Sequence, residues 1–308
     1  MNSSKPAATI VIATRNRREE LRQVLQSARV QSVPVEILVM DDGSTDGTDA
    51  MVTGEFPDVA YHRLATNRGP TFQRNRGVEM ARCEIVFCPD DDCVFVSPHT
   101  VEQTLKEFNH PSIGAVGIPY VNVNIGPEVL QSAPERTGIW AIHAFVGCAH
   151  AVLRSAFLEV GGYREEFFYM GEEGELCLRL AERGWITRAG SADAMHHLES
   201  AFRVGARADF YGRRNDLCFA WHNVPTRWLL VHLLATTWNG LRATAGAGKR
   251  WPNHARGMLA GWSAILRGKC ARQAVAMSVY RVQRAMKKTG PKPLEEVLAF
   301  LPPVPIRG

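Results

Sequence analysis

Two kinds of segment alternate between residues 8 and 118, and this alternation limits the fold more than any other feature. Short apolar runs rich in β-branched residues, typical of buried strands, occupy positions 8–13, 35–40, 59–64, 84–88 and 113–118. Stretches with apolar residues at helical spacing lie between them, at 21–28, 47–56, 71–82 and 98–109. Strands and helices that alternate over short connections predict an α/β fold with a mixed, mostly parallel sheet covered on both faces.

Polar residues follow three of these runs, at positions 14–17, 41–44 and 90–92. In an open parallel sheet, ligands bind beyond the carboxyl ends of the strands. We therefore expect the three loops to open on one edge of the sheet and to form a binding site there. Each loop alone is also compatible with an ordinary turn, because Asp, Asn, Gly and Ser favour turns. No GxGxxG motif follows the first run, which argues against a dinucleotide-binding Rossmann domain.

The triplet Asp90-Asp91-Asp92 is a candidate cation site, because adjacent carboxylates repel one another unless a partner offsets their charge. Mg²⁺ typically takes one or two protein carboxylates together with substrate phosphates. In an extended backbone, Asp90 and Asp92 share a face while Asp91 points elsewhere. His196 and His197 follow a β-like stretch, so at most one of them is expected to be a ligand. A solvated acidic turn and ordinary histidines are the alternatives.

A second acidic pair, Glu172-Glu173, starts a segment with helical spacing. A glutamate at this position is a candidate general base that faces the cleft. The aromatic residues 167–169 directly before it are candidates for excluding water and for contacting an acceptor. The alternative is a structural role, since acidic side chains stabilise the positive end of a helix dipole.

Three further polar residues near the predicted strand ends are candidates for nucleotide contacts. Asp42 offers a carboxylate that accepts the N–H of a base, although it also suits an Asx turn. Arg15 and Arg74 offer positive charge to phosphates or to the base, with ordinary surface positions as the alternative.

The overall composition narrows the class of protein. The 308 residues carry a formal net charge of +5 with a pI of about 8.9. This mild basicity suits phosphate-bearing ligands or an anionic membrane surface, and no nucleic-acid partner is expected because a dense basic stripe is missing. Seven cysteines without a CxxC pair predict reduced thiols and a cytoplasmic protein. Neither the first twenty residues nor the apolar run 228–238 predicts a signal peptide or a membrane span.

From about residue 201 onward the pattern is helical, with apolar stripes interleaved with Arg and Lys up to residue 287. The simpler interpretation is a helical subdomain that packs on the sheet. The alternative is a basic amphipathic surface that contacts the inner face of a membrane, where a lipid-linked acceptor would lie. The Pro-rich end, PPVPIRG, predicts a loose tail.

Five segments occur in a characteristic order: ATIVIATRNR, ILVMDDGSTDGT, NRGPTFQRNRG, EIVFCPDDDC and GGYREEFFYMGEEGELCLRLAERGW. Together they resemble the family 2 glycosyltransferases, which have the GT-A fold, over roughly residues 8–200. The resemblance implies an inverting transferase that uses a nucleoside-diphosphate sugar (UDP, dTDP or GDP), a divalent cation (Mg²⁺ or Mn²⁺) and a glycan or lipid-linked acceptor. It also implies a catalytic domain at 1–200, with a nucleotide half at 8–118 and an acceptor half at 119–200, followed by a helical extension at 201–308.

The resemblance further implies roles for individual residues. The residues that would hold the nucleotide are Thr14, Arg15, Asn16, Asp42, Arg74, Asp90 and Asp91. The residues that would hold the metal are Asp92 as the main ligand, Asp90, and either His196 or His197.

Glu173 would be the catalytic base, with Glu172 as the alternative, at a position where the family more commonly has aspartate. Two other functions stay open. A nucleotidyltransferase that makes nucleotide sugars usually has a Gly-rich phosphate loop after the first strand, which the segment TRNRREE lacks. A non-catalytic sugar-nucleotide-binding protein with a degenerate site is the third candidate.

Overall fold

The computed structural model describes residues 5–198 and 205–305. Within them the strands are β1 (Ala8–Thr14), β2 (Val35–Asp41), β3 (Ala60–Arg63), β4 (Ile85–Phe87), β5 (Cys93–Val94), β6 (Ile113–Gly117), β7 (Tyr120–Asn122), β8 (Val129–Leu130), β9 (Trp140–Ile142), β10 (His150–Leu153), β11 (Ile186–Ala189), β12 (Met195–His197) and β13 (Lys292–Pro293). The helices are α1 (Arg18–Arg29), α2 (Thr48–Glu55), α3 (Pro70–Met80), α4 (Thr100–Lys106), α5 (Arg154–Glu159), α6 (Glu172–Glu182), α7 (Gly205–Asn223), α8 (Thr226–Ala245), α9 (Trp251–Leu266), α10 (Met277–Thr289) and α11 (Leu294–Leu298). Every strand and helix predicted between residues 8 and 118 is present.

The main sheet of the described chain has nine strands in the order β13-β9-β11-β6-β10-β4-β1-β2-β3. Strands β9 and β10 run antiparallel to their neighbours, and the other seven all run in one direction. The predicted mixed, mostly parallel sheet is therefore confirmed. Strands β4, β1 and β2, which carry the three polar loops, are immediate neighbours, so their loops lie side by side.

Helices cover both faces of the sheet because successive side chains of β1 enter two different cores. Ile10 and Ile12 pack with the apolar stripe of α1 on one face. Val11 packs with Val78 of α3 on the other face. A Cβ atom on Gly77 of α3 would lie only 2.1 Å from Cγ1 of Val11, so glycine is required for this close approach of helix and strand.

Residues 119–198, whose pattern is irregular, contribute two reversed strands of the main sheet, β9 and β10, and three of the four strands of a second sheet. Strand β10 lies antiparallel between β4 and β6. Among the described residues the second sheet has the order β5-β12-β7-β8. Its register places His197 opposite Cys93, which directly follows the acidic triplet. The second sheet thereby brings a downstream histidine to the carboxyl end of β4.

The C-terminal helices pack closely on the rest of the chain. Leu217 and Val279, from α7 and α10, share a core with Leu178 and Ala181 of α6. Strand β13 then adds an edge strand to the main sheet beside β9. The apolar stripes of α7 and α10 are thus core, as the simpler interpretation predicts. The expected domain boundary at residue 200 lies outside the described residues and stays a prediction.

The last described residues are packed, although the sequence assigns them to a loose tail. A Cβ atom on Gly184 would lie 2.4 Å from the carbonyl oxygen of Pro302, and Val304 packs beside the core that contains Trp185. The contact is made by backbone atoms and by Val304, which is partly buried, whereas Pro302, Pro303 and Pro305 are exposed. Residues 306–308 lie outside the described residues.

Candidate active site

The loops after β1, β2 and β4 meet at one edge of the sheet, as the sequence predicts. The backbone N–H of Asn16 donates to Ser44 Oγ at 2.9 Å, and Asn16 Oδ1 accepts the N–H of Thr45 at 2.7 Å. The Thr14 hydroxyl donates to Asp91 Oδ2 at 2.7 Å. The first loop therefore connects the second loop to the acidic triplet.

Arg17, also from the first loop, offsets part of the charge of the triplet. Its Nη1 atom lies 2.7 Å from Asp91 Oδ1 and 2.9 Å from Asp92 Oδ2. Burial raises the pKa of Asp91 to about 6, and the nearby Arg17 opposes this rise. Arg15, the residue expected to contact the nucleotide from this loop, is exposed to solvent.

Asp90, Asp92 and His197 form a compact group of candidate metal ligands. One ligand atom from each lies within 4.8 Å of the others. His197 Nε2 is 3.3 Å from Asp92 Oδ1. Two carboxylates and an imidazole suit a divalent cation that also binds phosphate oxygens. Of the two histidines left open by the sequence, His197 joins this group and His196 does not, because adjacent residues of β12 face opposite sides.

The Asp42 carboxylate holds the loop before α3. Its Oδ1 accepts the backbone N–H of Arg68 at 2.7 Å and Nε2 of Gln73 at 3.1 Å, while Oδ2 accepts the N–H of Gly69 at 2.9 Å. An ionised carboxylate has about four acceptor positions, so one remains on Oδ2. A contact between Asp42 and a nucleotide base stays a prediction.

Arg74 of α3 connects the acidic triplet to the acidic pair of α6. Its Nη2 atom contacts Asp90 and donates to the carbonyl of Gly147 at 3.2 Å, and its Nη1 atom lies 3.8 Å from Glu172 Oε1. Burial opposes the charge of Arg74, but the surrounding carboxylates more than offset this effect and raise its pKa above the usual value. Arg74 is therefore a permanent buried cation between two acidic groups.

The acidic pair at the start of α6 has raised pKa values. Glu172 is 4% exposed, and its pKa rises to about 8 because burial disfavours the charge and Glu173 adds repulsion. Burial also raises the pKa of Glu173, while backbone N–H groups and Arg74 partly oppose the rise. A carboxylate with a raised pKa accepts a proton more readily than an ordinary one, which suits a general base.

Glu173 lies against the backbone of Gly147, in the loop before β10. The Gly147 N–H bonds the Glu173 carboxylate, and a Cβ atom on Gly147 would lie 2.4 Å from Glu173 Oε1. The Gly147 carbonyl accepts Nδ1–H of His150 at 3.0 Å, and Nε2 of His150 accepts the Tyr163 hydroxyl at 2.9 Å. Burial, with Arg74 nearby, lowers the pKa of His150 and keeps it neutral. This chain of bonds fixes the loop that holds Glu173.

The three aromatic residues before α6 divide between core and surface. Phe167 is fully buried, so the predicted acceptor contact is wrong for this residue. Phe168 stacks on Tyr211 with the ring centroids 5.2 Å apart. The Arg207 guanidinium lies 4.9 Å from the ring centroid of Phe168 and 5.2 Å from that of Tyr169. The aromatic surface beside the site therefore consists of Phe168 and Tyr169.

Sequence reasoning missed Arg17, Gly147 and His150. The sequence does contain a signal for Arg17, because this residue ends the predicted loop and a nearby cation would offset the repulsion among three adjacent carboxylates. The sequence contains no such signal for Gly147 or His150, because a single glycine and a single histidine among apolar residues are compatible with many structures. Their roles arise only when the loop before β10 packs between α3 and α6.

Comparison with protein families identifies the family of this chain. Residues 9–163, half of the sequence, match the family model described as glycosyl transferase family 2. The chain belongs to this family. The chain is also similar to curated proteins of Haloferax volcanii and Mycobacterium tuberculosis and to solved structures.

The chain is 25% identical over 210 residues to the glucosyl-dolichyl phosphate glucuronosyltransferase of Haloferax volcanii, which covers 58% of this chain and 64% of that protein. It is 26% identical over 252 residues to the N-acetylglucosaminyl-diphospho-decaprenol L-rhamnosyltransferase of Mycobacterium tuberculosis. This alignment covers 66% of this chain and 81% of that protein. A pre-mycofactocin glycosyltransferase of the same organism is 27% identical over 57% of this chain and 39% of its own length. The chain thus spans less than two thirds of two of these three relatives.

Solved structures confirm the GT-A fold of this glycosyl transferase family 2 protein. A mannosyltransferase from Pyrobaculum calidifontis, in complex with GDP-Man and Mn²⁺, superposes with a TM-score of 0.57 at 19% identity and covers 97% of this chain and 86% of that one. Residues 1–349 of TarS from S. aureus superpose with a TM-score of 0.58 at 15% identity and cover 82% of this chain and 80% of that one.

Proposed function

We propose that this protein transfers a sugar from a nucleoside diphosphate to an acceptor hydroxyl, with inversion and with the help of a divalent cation. The observation that carries the proposal is the grouping of Asp90, Asp92 and His197, whose ligand atoms lie within 4.8 Å of one another. Arg74 joins this group to Glu173 and its neighbour. A cation site beside a carboxylate of raised pKa provides both charge neutralisation and a base.

On the donor side, Asp92, Asp90 and His197 would hold Mg²⁺ or Mn²⁺, which neutralises the charge that develops on the leaving diphosphate. Arg17 keeps the buried carboxylate of Asp92 oriented. The residues that would position the nucleotide are Thr14, Arg15, Asn16, Asp42, Arg74, Asp90 and Asp91. The complexes of the structural neighbours with GDP-Man, UDP and UDP-GlcNAc support a nucleoside-diphosphate donor, with dTDP as the third candidate nucleotide.

On the acceptor side, Glu173 would take the proton of the attacking hydroxyl, and Glu172 is the alternative base. The acceptor oxygen bonds to the anomeric carbon as the bond from that carbon to the diphosphate oxygen breaks. The proton ends on the carboxylate and the electron pair on the diphosphate. Attack from the side opposite the leaving group inverts the anomeric carbon in this single step.

The acceptor that we propose is a glycan or a lipid-linked precursor at the cytoplasmic face of a membrane. The names of two relatives support this class, because both mention a polyprenyl-linked molecule, dolichyl phosphate in one and diphospho-decaprenol in the other. The sugar that is transferred, and the linkage formed, depend on the acceptor half of the chain.

A donor screen tests the proposal. Purified protein is incubated with UDP-, dTDP- and GDP-sugars in the presence of Mg²⁺ or Mn²⁺, and nucleotide release is followed. We expect slow hydrolysis of at least one donor, because water replaces the missing acceptor, and we expect EDTA to abolish it and excess metal to restore it.

Two outcomes would contradict the proposal. Release of pyrophosphate from a nucleoside triphosphate and a sugar phosphate would identify a nucleotidyltransferase. Tight nucleotide binding without turnover of any donor, even with glycan and polyprenyl-linked acceptors, would identify a non-catalytic binding protein.

Gly147→Ala is expected to reduce turnover, because the added methyl group would overlap Glu173 Oε1 and displace the base. A displacement of about 1 Å at a reacting group costs on the order of 100-fold in rate. The measurement is kcat for donor hydrolysis or transfer, with nucleotide affinity from calorimetry as a second readout that should stay unchanged. Gly54→Ala is the matched control, since its added Cβ atom meets nothing within 4 Å. Equal turnover of the two variants would show that Gly147 does not hold the base.

A further inference from the structure

Helix α8 presents a row of large apolar side chains that the rest of the described chain leaves uncovered. These side chains are each between 42 and 70% exposed, and they are Trp228, Leu230, Val231, Leu234, Trp238 and Leu241. Their spacing places them on one side of the helix. Contiguous apolar patches of this kind mark a surface that binds a partner or a membrane.

The opposite side of α8 is already in contact with the protein. Leu233 belongs to the core that α7 and α10 share, and Gly240 lies so close to α9 that a Cβ atom there would be 2.7 Å from the sulfur of Met258. Helix α8 is therefore apolar on both its inner and its outer side, a pattern typical of a helix that is buried all round. Leu259 and Leu266 of the neighbouring helix α9 are also exposed, at 71 and 81%.

The charge of this part of the chain is strongly positive. Between Gly205 and Gly290 there are fifteen Lys and Arg residues and two acidic residues, Asp209 and Asp216, although the whole chain has a net charge of only +5. Helix α8 itself contains no acidic residue and begins and ends near Arg227 and Arg242. The apolar row thus lies in a basic environment, and the acidic residues are concentrated in the other part of the chain.

A second basic feature lies on α10. Arg281, Arg284, Lys287 and Lys288 of α10 line a shallow cavity of about 410 Å³. Helix α10 lies directly beside α8.

The contact between the two helices is made through Tyr280 of α10. Its hydroxyl is 2.6 Å from Nδ1 of His232 on α8 and accepts a bond from Arg284 Nη1 at 3.3 Å. The basic ridge of α10, made of Arg281, Arg284, Lys287 and Lys288, therefore lies next to α8 at His232.

We propose that the outer face of α8, together with the basic ridge of α10, docks this protein on the surface of an anionic phospholipid bilayer. Trp and Leu side chains with Lys and Arg at their flanks are the composition of helices that lie in the membrane interface. The Lys and Arg side chains are attracted to anionic headgroups. A nucleic acid would match the charge but not the apolar row, and an acidic protein would match the charge without requiring six uncovered apolar side chains on one helix.

The contact is one of docking and not of insertion across the bilayer. Within residues 5–198 and 205–305, none of the helices combines the length and the apolar character needed to span a membrane. The apolar face of a docked helix is buried only at the boundary of headgroups and acyl chains.

The docking surface is connected to the candidate site through α7. Nδ2 of Asn215 donates to the carbonyls of Phe167, Tyr169 and Met170 at 2.9, 2.8 and 2.7 Å, and these residues directly precede α6 and its acidic pair. Helix α7 packs in turn on α8 in the C-terminal core. Docking would bring Glu173 to a lipid-linked acceptor, and this consequence rests on the proposed function. The docking itself does not depend on the proposed function.

Vesicle flotation tests the proposal. The 308-residue chain is mixed with vesicles of phosphatidylcholine that contain phosphatidylglycerol, and with vesicles of phosphatidylcholine alone, and the floating fraction is measured at low and high salt. We expect binding to the anionic vesicles that weakens at high salt, because salt screens the basic ridge. The double variant Leu234→Glu/Trp238→Glu is expected to lower the partition constant by at least about tenfold, since it places two acids in the apolar row.

Val30→Glu is the matched control, because Val30 is 64% exposed at the end of α1, far along the sequence from the C-terminal helices. It should float like the wild type. Hydrolysis of a water-soluble donor should be equal in all variants, which separates loss of docking from loss of the site. Absence of flotation with anionic vesicles would overturn the proposal, as would equal flotation of the double variant. A dimer in light scattering that the double substitution converts to a monomer would also overturn it, since the face would then join two copies of the chain.

Discussion

Asp92→Asn is expected to lower sugar transfer by about a thousandfold. The amide has the size of the carboxylate and keeps an oxygen for Arg17, whose Nη1 atom lies 2.9 Å from Asp92 Oδ2. It removes the charge that the grouping with Asp90 and His197 would direct at a divalent cation. A metal that neutralises a leaving diphosphate contributes on the order of 4 kcal/mol, and about 1.4 kcal/mol corresponds to a tenfold change in rate. The measurement is kcat/KM for transfer, with binding of Mn²⁺ in the presence of nucleotide as a second readout.

Asp58→Asn is the control for Asp92→Asn, because Asp58 is a half-exposed acid whose partner, Arg29, lies 2.9 Å away on the surface. Both variants lose one negative charge, so a general charge effect would appear in both. We expect only the Asp92 variant to lose Mn²⁺ binding. Transfer within about threefold of the wild type in the Asp92 variant, a difference under 1 kcal/mol, would rule out this group as the cation site of the reaction.

The strands, the first helices and the meeting of the three loops could be predicted because they depend on local patterns. A β-branched run such as Ile10 to Ile12 is buried whichever helix covers it, and the direction of a parallel sheet fixes which loops share an edge. The choice between His196 and His197 could not be predicted. It depends on which residue of β12 faces the triplet, and that is set by the pairing of β12 with β5 in a second sheet.

Arg74 shows a second limit of the sequence. A single arginine in a helix without a clear apolar stripe is usually at the surface, yet this one is buried between carboxylates from two distant segments. Its partner Asp90 is sixteen residues away and Glu172 is almost a hundred, so no local pattern contains the information. No local pattern identifies Gly147 either. Only glycine fits at this position, because Glu173 packs directly on it.

Glu173→Gln is expected to lower transfer by on the order of 10²- to 10⁴-fold, the usual contribution of a general base. The amide keeps the shape that fits against Gly147, so the fold and the affinity for the donor nucleotide should remain. Glu172→Gln is the matched control. With a pKa of about 8, Glu172 is protonated at neutral pH, and glutamine resembles the protonated form. We therefore expect transfer at pH 7 to stay within a few fold of the wild type in the Glu172 variant.

The pH dependence of transfer identifies the base more sharply than either rate alone. A base must be ionised to take a proton, so transfer should fall as the pH falls through the pKa of Glu173. Burial raises that pKa above the ordinary value for glutamate, which moves the acidic limb of the profile toward neutral pH. The Glu172 variant should keep this limb, since it mimics the protonation state that Glu172 already has there. The residual activity of the Glu173 variant should not show this acidic limb. A Glu172 variant that loses both the rate and the acidic limb would instead make Glu172 the base and Glu173 its neighbour.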